Sequence, residues 1–330
     1  MLKTYSFPAK YQEKIALALQ DLGFSLDNPR QLALSVIKLS DHYQKEQKQT
    51  PWNEPEFLAA YLAYYLPLNY IRNAKVFDEL ARFKDLLDFE TYIDFGFGLG
   101  SSLLAAHDQG LIGQTHELYA LDISQKPIDF FSRYLSSLPI KKHLELSPKP
   151  KTLGVFSYSL NELLKAPTWF YDLETIIILE PSTSIWGRKL MNWRESLIAK
   201  GYSIWAPCTH QLSCPLITHS QKDWCHDRVH WDQPDWFQQI EQYLPMKNLT
   251  MTHSYLIASR KKAPDSLHGR VIGDELKEKG KSRWLFCQGE EREFLSWLNK
   301  QGTSPGWHRG ELISPHIEAK KGNELRIKLY

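Results

Sequence analysis

The chain has 330 residues, of which 24% are charged and 42% apolar, and its formal net charge is +2. That length is enough for a sizeable core and favours two or three domains. The longest mostly apolar stretch, Phe57 to Leu66, is about half a membrane span. The N-terminus lacks the apolar segment of a secretory signal and makes a poor transit peptide. We therefore exclude the membrane, secreted and disordered classes and expect a soluble intracellular protein.

Apolar residues recur at helical spacing through the first ninety residues. The pattern predicts a helix over residues 8–47, a second helical run from Glu54 through Tyr70, and a third over Ile71 to Leu87. No alternation typical of strands occurs in this region. We therefore predict a helical N-terminal domain over residues 1–90.

The pattern changes at Thr91, where short runs rich in β-branched and aromatic residues begin to alternate with helical stretches. Five such runs predict strands: Tyr92–Phe95, Leu118–Leu121, Leu153–Tyr158, Thr175–Leu179 and Tyr202–Ala206. A helix over Trp186 to Lys200 separates the last two, and His253 to Ser259 is a candidate further strand. Strands separated by helices indicate an α/β fold with a parallel sheet covered on both faces, here assigned to residues 91–262.

The region after Lys261 is basic and glycine-punctuated. Its short strand-like pieces, Ser282–Cys287, Glu293–Trp297 and Arg309–Ile313, predict a small antiparallel sheet or barrel over residues 263–330. Residues 241–330 hold 16 Lys and Arg against 11 Asp and Glu, a net of +5, whereas residues 1–240 have a net of −3. Either this region is a solvated basic loop or its cations contact phosphates. The candidates for such contacts are Arg260, Lys261, Lys262, Arg270, Lys277, Lys279, Lys281 and Arg283.

A glycine-rich turn follows the first predicted strand and opens a helix. Its residues are Asp94, Gly96, Gly98 and Gly100, and Asp122 ends the next strand. Glycines permit a tight turn and a close backbone approach, and the helix N-terminus offers free N–H groups to a ligand. A carboxylate at the position of Asp122 can bind ribose hydroxyls. The alternative is an ordinary strand-to-helix turn without a ligand.

The G-x-G-x-G spacing after an acid resembles motif I of class I S-adenosylmethionine-dependent methyltransferases. The resemblance implies a Rossmann-like sheet in which Asp94 and the glycine backbone face the methionine moiety of the cofactor and Asp122 takes the ribose. The end of the fourth strand, Glu180-Pro181-Ser182, lacks the Asn/Asp-Pro-Pro-aromatic pattern of enzymes that methylate base nitrogens. We therefore assign no catalytic residue and leave open whether methyl transfer occurs.

All four cysteines lie beyond residue 207, and three of them fall within eighteen residues; they are Cys208, Cys214, Cys225 and Cys287. The spacing C-x5-C-x10-C-x61-C has no C-x2–4-C pair typical of structural zinc, and Cys214 is followed by proline. Four thiolates at loose spacing favour an iron–sulfur cluster. Zinc stays an alternative because histidines are near, namely His210, His219, His226 and His230. Four unrelated buried thiols are the remaining alternative.

Several segments together resemble one family: Tyr158-Ser-Leu-Asn-Glu-Leu163, Leu179-Glu-Pro-Ser-Thr183, Ala206-Pro-Cys-Thr-His210, Asp223-Trp-Cys-His226 and Arg270-Val-Ile-Gly273. They are similar to the methyltransferase-like assembly factors of the mitochondrial small ribosomal subunit and their bacterial relatives. The resemblance implies a [4Fe–4S] cluster on Cys208, Cys214, Cys225 and Cys287, and a role on ribosomal RNA. The chain departs from the family's Gly-Ala-Gly-Pro-Gly at Gly96-Phe-Gly-Leu-Gly100, which bears on cofactor binding and methyl transfer more than on the cluster.

We therefore expect an assembly factor that binds the small ribosomal subunit and its RNA, with a structural cluster and an S-adenosylmethionine site, and without membrane or DNA partners. One alternative is an active S-adenosylmethionine-dependent ribosomal RNA methyltransferase. Another is a zinc-stabilised methyltransferase that acts on a small molecule or a protein. The expected location is a bacterial cytoplasm, or the mitochondrial matrix if the source is eukaryotic.

Overall fold

A computed structural model of the chain describes residues 3–45, 49–142, 150–163, 165–266 and 268–328. The α-helices in these residues are α1 (Lys10–Asp21), α2 (Pro29–Gln44), α3 (Pro55–Ala60), α4 (Leu66–Ala81), α5 (Ser101–Asp108), α6 (Gln125–Phe130), α7 (Ser184–Ala199), α8 (Pro215–Thr218) and α9 (Asp235–Glu241). Among these described elements, no helix is both long and apolar enough to cross a membrane.

The strands in the same residues are β1 (Thr4–Ser6), β2 (Thr91–Phe95), β3 (Glu117–Leu121), β4 (Ile140–Lys141), β5 (Thr152–Ser157), β6 (Thr175–Glu180), β7 (Ser203–Ala206), β8 (Asp227–Asp232), β9 (Thr250–Ser259), β10 (Gly269–Val271), β11 (Leu276–Glu278), β12 (Lys281–Cys287), β13 (Glu293–Leu298), β14 (Leu312–Ile313), β15 (His316–Lys321) and β16 (Glu324–Lys328). The chain divides into two compact units. The first unit is Met1–Ile178 with Val229–Met251, and the second is Leu179–Arg228 with Thr252–Tyr330. The predicted three-part division at residues 90 and 262 stays a prediction.

The helical part of the first unit differs from the single helix predicted over residues 8–47. Two helices, α1 and α2, stand in its place, while residues 46 and 47 lie outside the described residues. Gly23 takes a φ of 80° just after α1, and the Asn28 side chain accepts a hydrogen bond from the Gln31 amide at the start of α2. Pro29 then occupies the first turn, where its missing N–H costs nothing. The break is therefore a local capping signal that apolar periodicity alone does not register.

The remaining helices of the first unit lie in one nearly continuous run. Helix α3 continues through a π-helical turn, Tyr61–Tyr65, into α4. A strand that the sequence pattern missed, β1, pairs in parallel with β8. The predicted N-terminal region is thus mainly helical with one short strand added.

The sheet of the first unit carries the predicted α/β fold. Strands β5, β2, β3 and β4 are parallel neighbours in that order, and β6 lies beside β5. In the register, Ile93 of β2 stands opposite Tyr119 of β3 and Gly154 of β5. The chain winds from β2 to β3 and β4 on one side and then returns to β5 and β6 on the other. This doubly wound, Rossmann-like order confirms the predicted class I methyltransferase fold class, with its switch point between β2 and β5.

The second unit contains α7, a strand pair and the C-terminal sheet. Strand β7 is antiparallel to β9. Helix α7 is capped by Thr183, whose side chain accepts a hydrogen bond from the Trp186 amide. The C-terminal sheet has the order β14-β10-β12-β13-β16-β15, with β11 beside β12. Its core is formed by Val271, Trp284, Phe286, Leu295, Trp297, Leu325 and Ile327.

The predicted antiparallel arrangement of this C-terminal sheet is partly wrong. Strand β13 runs parallel to β16, whereas the other pairs of this sheet are antiparallel. The strand predicted over Arg309–Ile313 shrinks to β14, and β15 and β16 complete the sheet instead. Strand β15 is exposed along its whole length, so its sequence lacks the apolar run by which the other strands are recognised.

Candidate functional site

The glycine-rich turn lies at the switch point of the first unit's sheet, between the end of β2 and the start of α5. Gly96, Gly98 and Gly100 have φ values of 71°, 50° and 69°, in the left-handed region that favours glycine. A Cβ atom at Gly96 would come within 2.3 Å of the Ser159 Cβ, which follows β5. Both the backbone conformation and the close approach of a neighbouring segment therefore require glycine here.

The amide groups of the turn bind acceptors within the protein. The amides of Gly96 and Phe97 donate to the Leu121 carbonyl at 2.8 and 3.0 Å. The amide of Gly98 donates to the Asp122 carboxylate at 2.8 Å. A ligand that approaches the Gly98 amide therefore has to replace Asp122 as its acceptor.

Two aromatic side chains of the helical region cover the same glycine. A Cβ atom at Gly98 would lie 3.3 Å from the Tyr61 hydroxyl and 3.6 Å from the Trp52 ring. The rings of Trp52 and Tyr61 pack edge to face, with centroids 4.9 Å apart. The space above Gly98 is thus filled by the chain's own aromatic groups.

The two predicted cofactor-binding acids have different surroundings. Asp94 is 2% exposed and accepts a hydrogen bond from the Ser102 hydroxyl, and burial raises its pKa to about 7. Asp122 lies at the end of β3 and accepts from the amides of Gly98 and Ser124, at 2.8 and 2.9 Å. Burial raises the pKa of Asp122 as well, although both amides lower it. Asp94 is therefore a buried residue bonded to helix α5 through Ser102, whereas Asp122 is hydrogen-bonded to the backbone of the turn itself. Their roles toward S-adenosylmethionine stay predictions.

All four cysteines line one cavity of the second unit. Cys208 follows β7, Cys214 precedes α8, Cys225 precedes β8, and Cys287 ends β12. The space at the cavity that protein atoms do not fill is about 470 Å³, open solvent included. Its other lining side chains are largely apolar and include Leu190, Met191, Leu216, Leu256 and Ile272. Residues that are up to 79 positions apart in sequence are therefore brought to one place.

The cavity is a poor environment for isolated negative charge. Burial raises the pKa values of the Cys214, Cys225 and Cys287 thiols, and the neighbouring cysteines raise them further. Burial and the Arg194 charge lower the pKa of His210 to about 4, so that its ring is neutral at pH 7. The His210 Nε2 atom lies 3.3 Å from the Cys287 Sγ atom. The donor set facing the cavity is thus thiols and a neutral imidazole.

The histidines that keep zinc as an alternative are distributed unevenly. His210 lines the thiol cavity, and His226 lines a smaller neighbouring cavity with Cys225. His230 lies in β8, opposite Thr4 of the first unit. Within the described ranges, no group of three or more His, Cys, Asp or Glu side chains is placed to hold a metal ion. One zinc ion needs four ligands within about 2.3 Å of itself, whereas the thiolates of a [4Fe–4S] cluster each bind a different iron and stand farther apart. At this cavity both the cluster and the zinc alternative stay predictions.

The basic residues of the C-terminal region are partly bound within the protein. Arg270 is 4% exposed and donates to the Gly310 carbonyl at 2.7 Å. Lys281 and Arg283 pair with Glu324 at 2.6 and 3.0 Å. Arg260 donates to the Lys200 carbonyl. Of the predicted phosphate-binding candidates, the exposed lysines are Lys262, Lys277 and Lys279, and Lys277 lies 3.9 Å from the Glu275 carboxylate.

One residue of the cavity escaped the sequence analysis. Arg194 of α7 is 1% exposed, and its Nε atom donates to the Cys208 Sγ atom at 3.1 Å. It occupies the helix face that also buries Leu190, Met191 and Leu197. A charged residue at a core position of an amphipathic helix is the sequence signal that would have identified it.

Comparison with known proteins gives similarities at three levels. The 16S rRNA methylase ArmA superposes with a TM-score of 0.35 at 15% identity, covering 68% of this chain and 97% of that one. The magnesium protoporphyrin IX methyltransferase ChlM from Synechocystis PCC 6803, with bound SAH, gives a TM-score of 0.33 at 11% identity, covering 59% and 85%. The chain is 25% identical over 243 residues to the Ribosome assembly protein METTL17, mitochondrial, of Homo sapiens, which is 64% of this chain and 52% of that protein. It therefore spans about half the length of the curated relative that it matches.

The family comparison covers most of the sequence. The model of the family described as Mitochondrial small ribosomal subunit Rsm22 matches residues 55–302, which include the glycine-rich turn and all four cysteines. The chain therefore belongs to this Rsm22 family.

Proposed function

We propose that this chain is an assembly factor of the small ribosomal subunit that binds ribosomal RNA and holds a [4Fe–4S] cluster on Cys208, Cys214, Cys225 and Cys287. Its membership of the Rsm22 family supports the ribosomal role, as does the name of its human relative, a mitochondrial ribosome assembly protein. The compartment follows its source, a bacterial cytoplasm or a mitochondrial matrix. The observation that carries the cluster is the meeting of all four cysteines at one cavity.

The residues present fit the cluster by their chemistry. Four thiolates are the normal ligands of a [4Fe–4S] group, and an apolar wall limits solvent access to it. When bound, the group would supply a redox-active, covalent junction between the C-terminal sheet and the segments that carry the other three cysteines. The chain's own part is to hold four thiol groups together in an enclosed site.

Metal analysis of protein purified without oxygen tests the cluster. We expect brown protein with about four irons and four sulfides per chain, and loss of iron when Cys287 is changed to serine. The Leu212→Ser variant is the control, because Leu212 lies in the same loop as Cys208 and Cys214 and is 53% exposed. Colourless protein with stoichiometric zinc would refute the cluster and favour the zinc alternative.

The RNA-binding surface is assigned to the exposed lysines of the basic C-terminal region. The support is the net charge of +5 over residues 241–330, together with the exposure of Lys262, Lys277 and Lys279. Phosphate contacts from these lysines would position the RNA without reading its sequence.

Salt-dependent binding to a small-subunit ribosomal RNA fragment tests this surface. Changing Lys262, Lys277 and Lys279 together to glutamine should reduce the slope of log K against log salt by about 2, since each lost single-strand phosphate contact contributes roughly 0.7. The matched control changes three exposed lysines of the first unit, Lys45, Lys84 and Lys165. Equal slopes for the parent and both triple variants would contradict the assignment.

A second candidate function is an active S-adenosylmethionine-dependent ribosomal RNA methyltransferase. The glycine-rich turn at the switch point, with Asp122 at the end of β3, favours it. Trp52, Tyr61 and Asp122 lie close to Gly98 in this structure. The turn therefore fits the cofactor only if these three side chains move away. A bound cofactor would displace these contacts, and Asp122 would turn from the Gly98 amide to the ribose hydroxyls.

Calorimetric titration of cluster-intact protein with S-adenosylmethionine tests this second function. Binding should produce heat, and it should weaken in an Asp122→Asn variant, which loses the charged acceptor. No heat in the parent protein would refute the enzyme and leave the assembly-factor function untouched.

A further inference from the structure

Burial of the Arg194 guanidinium costs free energy unless its N–H groups have hydrogen-bond partners. A guanidinium at 1% exposure needs partners for its donors. Its Nη2 atom donates to the carbonyls of His210 and Leu212 at 2.9 and 2.8 Å, and its Nη1 atom pairs with the Glu195 carboxylate. These contacts fix the loop between Cys208 and Cys214 to helix α7.

The remaining donor of this guanidinium is directed at sulfur. The Nε atom donates to the Cys208 Sγ atom at 3.1 Å, within the range of a hydrogen bond to sulfur. Glu195, the next residue of α7, contacts the segment that carries a second thiol. Its carboxylate accepts a hydrogen bond from the Cys214 amide at 3.3 Å. A guanidinium keeps its positive charge in proteins, so Arg194 is a buried cation beside the Cys208 sulfur.

We propose that Arg194 is a positioning residue of the thiol cavity that fixes the Cys208 loop and donates an N–H···S hydrogen bond to the Cys208 thiolate of the bound cluster. The inference rests on the proposed cluster and adds the residue that tunes it. Four thiolates make the bound group anionic overall, and one-electron reduction adds a further negative charge. A buried cation with a hydrogen bond to sulfur stabilises the reduced state more than the oxidised one. Arg194 therefore raises the reduction potential of the group.

Helix α7 offers a matched control less than two turns away. Arg188 also fixes a loop, because its Nη1 atom donates to the carbonyls of Leu216, Ser220 and Asp223, at 3.4, 3.1 and 2.8 Å. It is not among the residues that line the thiol cavity. An Arg188→Gln change removes loop contacts without removing a bond to sulfur.

The experiment compares the full-length parent, Arg194→Gln and Arg188→Gln proteins, purified without oxygen. Iron per chain measures loading, and a redox titration followed by electron paramagnetic resonance gives the reduction potential. We expect Arg194→Gln to shift the potential to a more negative value or to lose the cluster, with Arg188→Gln at the parent's potential and loading. If the Arg194→Gln protein does not fold by circular dichroism, Arg194→Lys takes its place. Lysine keeps the charge but lacks the planar guanidinium whose Nε atom faces sulfur while Nη2 faces the two carbonyls.

The outcomes separate this inference from the function on which it rests. An iron-free parent would refute the cluster itself. A loaded parent with an Arg194→Gln protein of equal loading and equal potential would overturn the role of Arg194. Equal losses in Arg194→Gln and Arg188→Gln would also overturn it, because loop fixation would then account for both.

Discussion

A methyl group added at Gly96 tests how closely the glycine-rich turn is packed against the end of β5. Gly96 and Gly110 have nearly equal φ values, 71° and 72°, so alanine suffers the same left-handed strain of about 1–2 kcal/mol at either position. The Gly110 Cβ would meet no atom within 4 Å, whereas the Gly96 Cβ would meet the Ser159 Cβ at 2.3 Å. Overpacking of this kind costs roughly 1–3 kcal/mol more. Gly96→Ala should therefore lower the free energy of unfolding by about 2–5 kcal/mol and Gly110→Ala by about 1–2 kcal/mol.

Urea unfolding of the full chain, followed by circular dichroism, measures the difference between the two variants. A shift in the transition midpoint at an unchanged m-value reports stability alone. A Ser159→Gly change removes the clashing Cβ, so the Gly96→Ala/Ser159→Gly double variant should recover the excess loss when compared with Ser159→Gly alone. Equal destabilisation by Gly96→Ala and Gly110→Ala, or no recovery in the double variant, would refute the close approach.

Two further predictions concern buried acids of the first unit. The folded-state pKa of Asp94 is about 7, above its unfolded value, so this group favours folding most below about pH 4 and its contribution falls as the pH rises to 7. In an Asp94→Asn variant the free energy of unfolding should fall less between pH 4 and 7 than it does in the parent, as measured by urea unfolding at several pH values. An unchanged profile would contradict the raised pKa. Asp108 accepts hydrogen bonds from the Tyr11 and Tyr70 hydroxyls, both at 2.9 Å, and its side chain is 9% exposed. Asp108→Ala should cost about 3 kcal/mol of stability, while the control Asp21→Ala, at a 47% exposed side chain, should cost less than about 1 kcal/mol; a similar midpoint for both variants would disprove the estimate.

The central strands of the first unit's sheet were predictable because they are buried. Every residue of β6 is buried, as are four of the five in β2, so their sequences are short apolar runs bounded by turn signals. Strand β15 has no buried residue, and β1 has one. Strand β1 is held by pairing with β8, which is distant in sequence, and β15 is held by a hairpin with β16. Because both strands are short or exposed, their own composition does not indicate them.

Residue types predicted which side chains form the candidate site, but not which partners the charged side chains contact. The cysteines stood out because the rest of the chain lacks them. In contrast, Arg283 was a candidate phosphate ligand until the fold placed it beside Glu324, 41 positions away. The partner of Arg194 could not be predicted for the same reason, because the Cys208 sulfur that its Nε atom contacts is 14 positions away. Long-range pairing of charges is set by the tertiary fold, so a count of basic residues overestimates the free cations.

The distribution of the thiols bears on how the C-terminal sheet is held in the second unit. A small apolar cluster of Met191, Cys214, Leu216 and Ile272, with Leu285 and Cys287 against it, joins that sheet to α7 and α8. Full burial of one such apolar side chain contributes about 1.5–3 kcal/mol, so this junction alone is modest. The proposed cluster would add a covalent link between Cys225 and Cys287 and close the chain of 61 residues that separates them. Closing a loop of that length restricts the unfolded chain more than it restricts the folded one. Loss of the cluster should therefore loosen the C-terminal sheet, and its exposed lysines with it, before it disturbs the glycine-rich turn of the first unit.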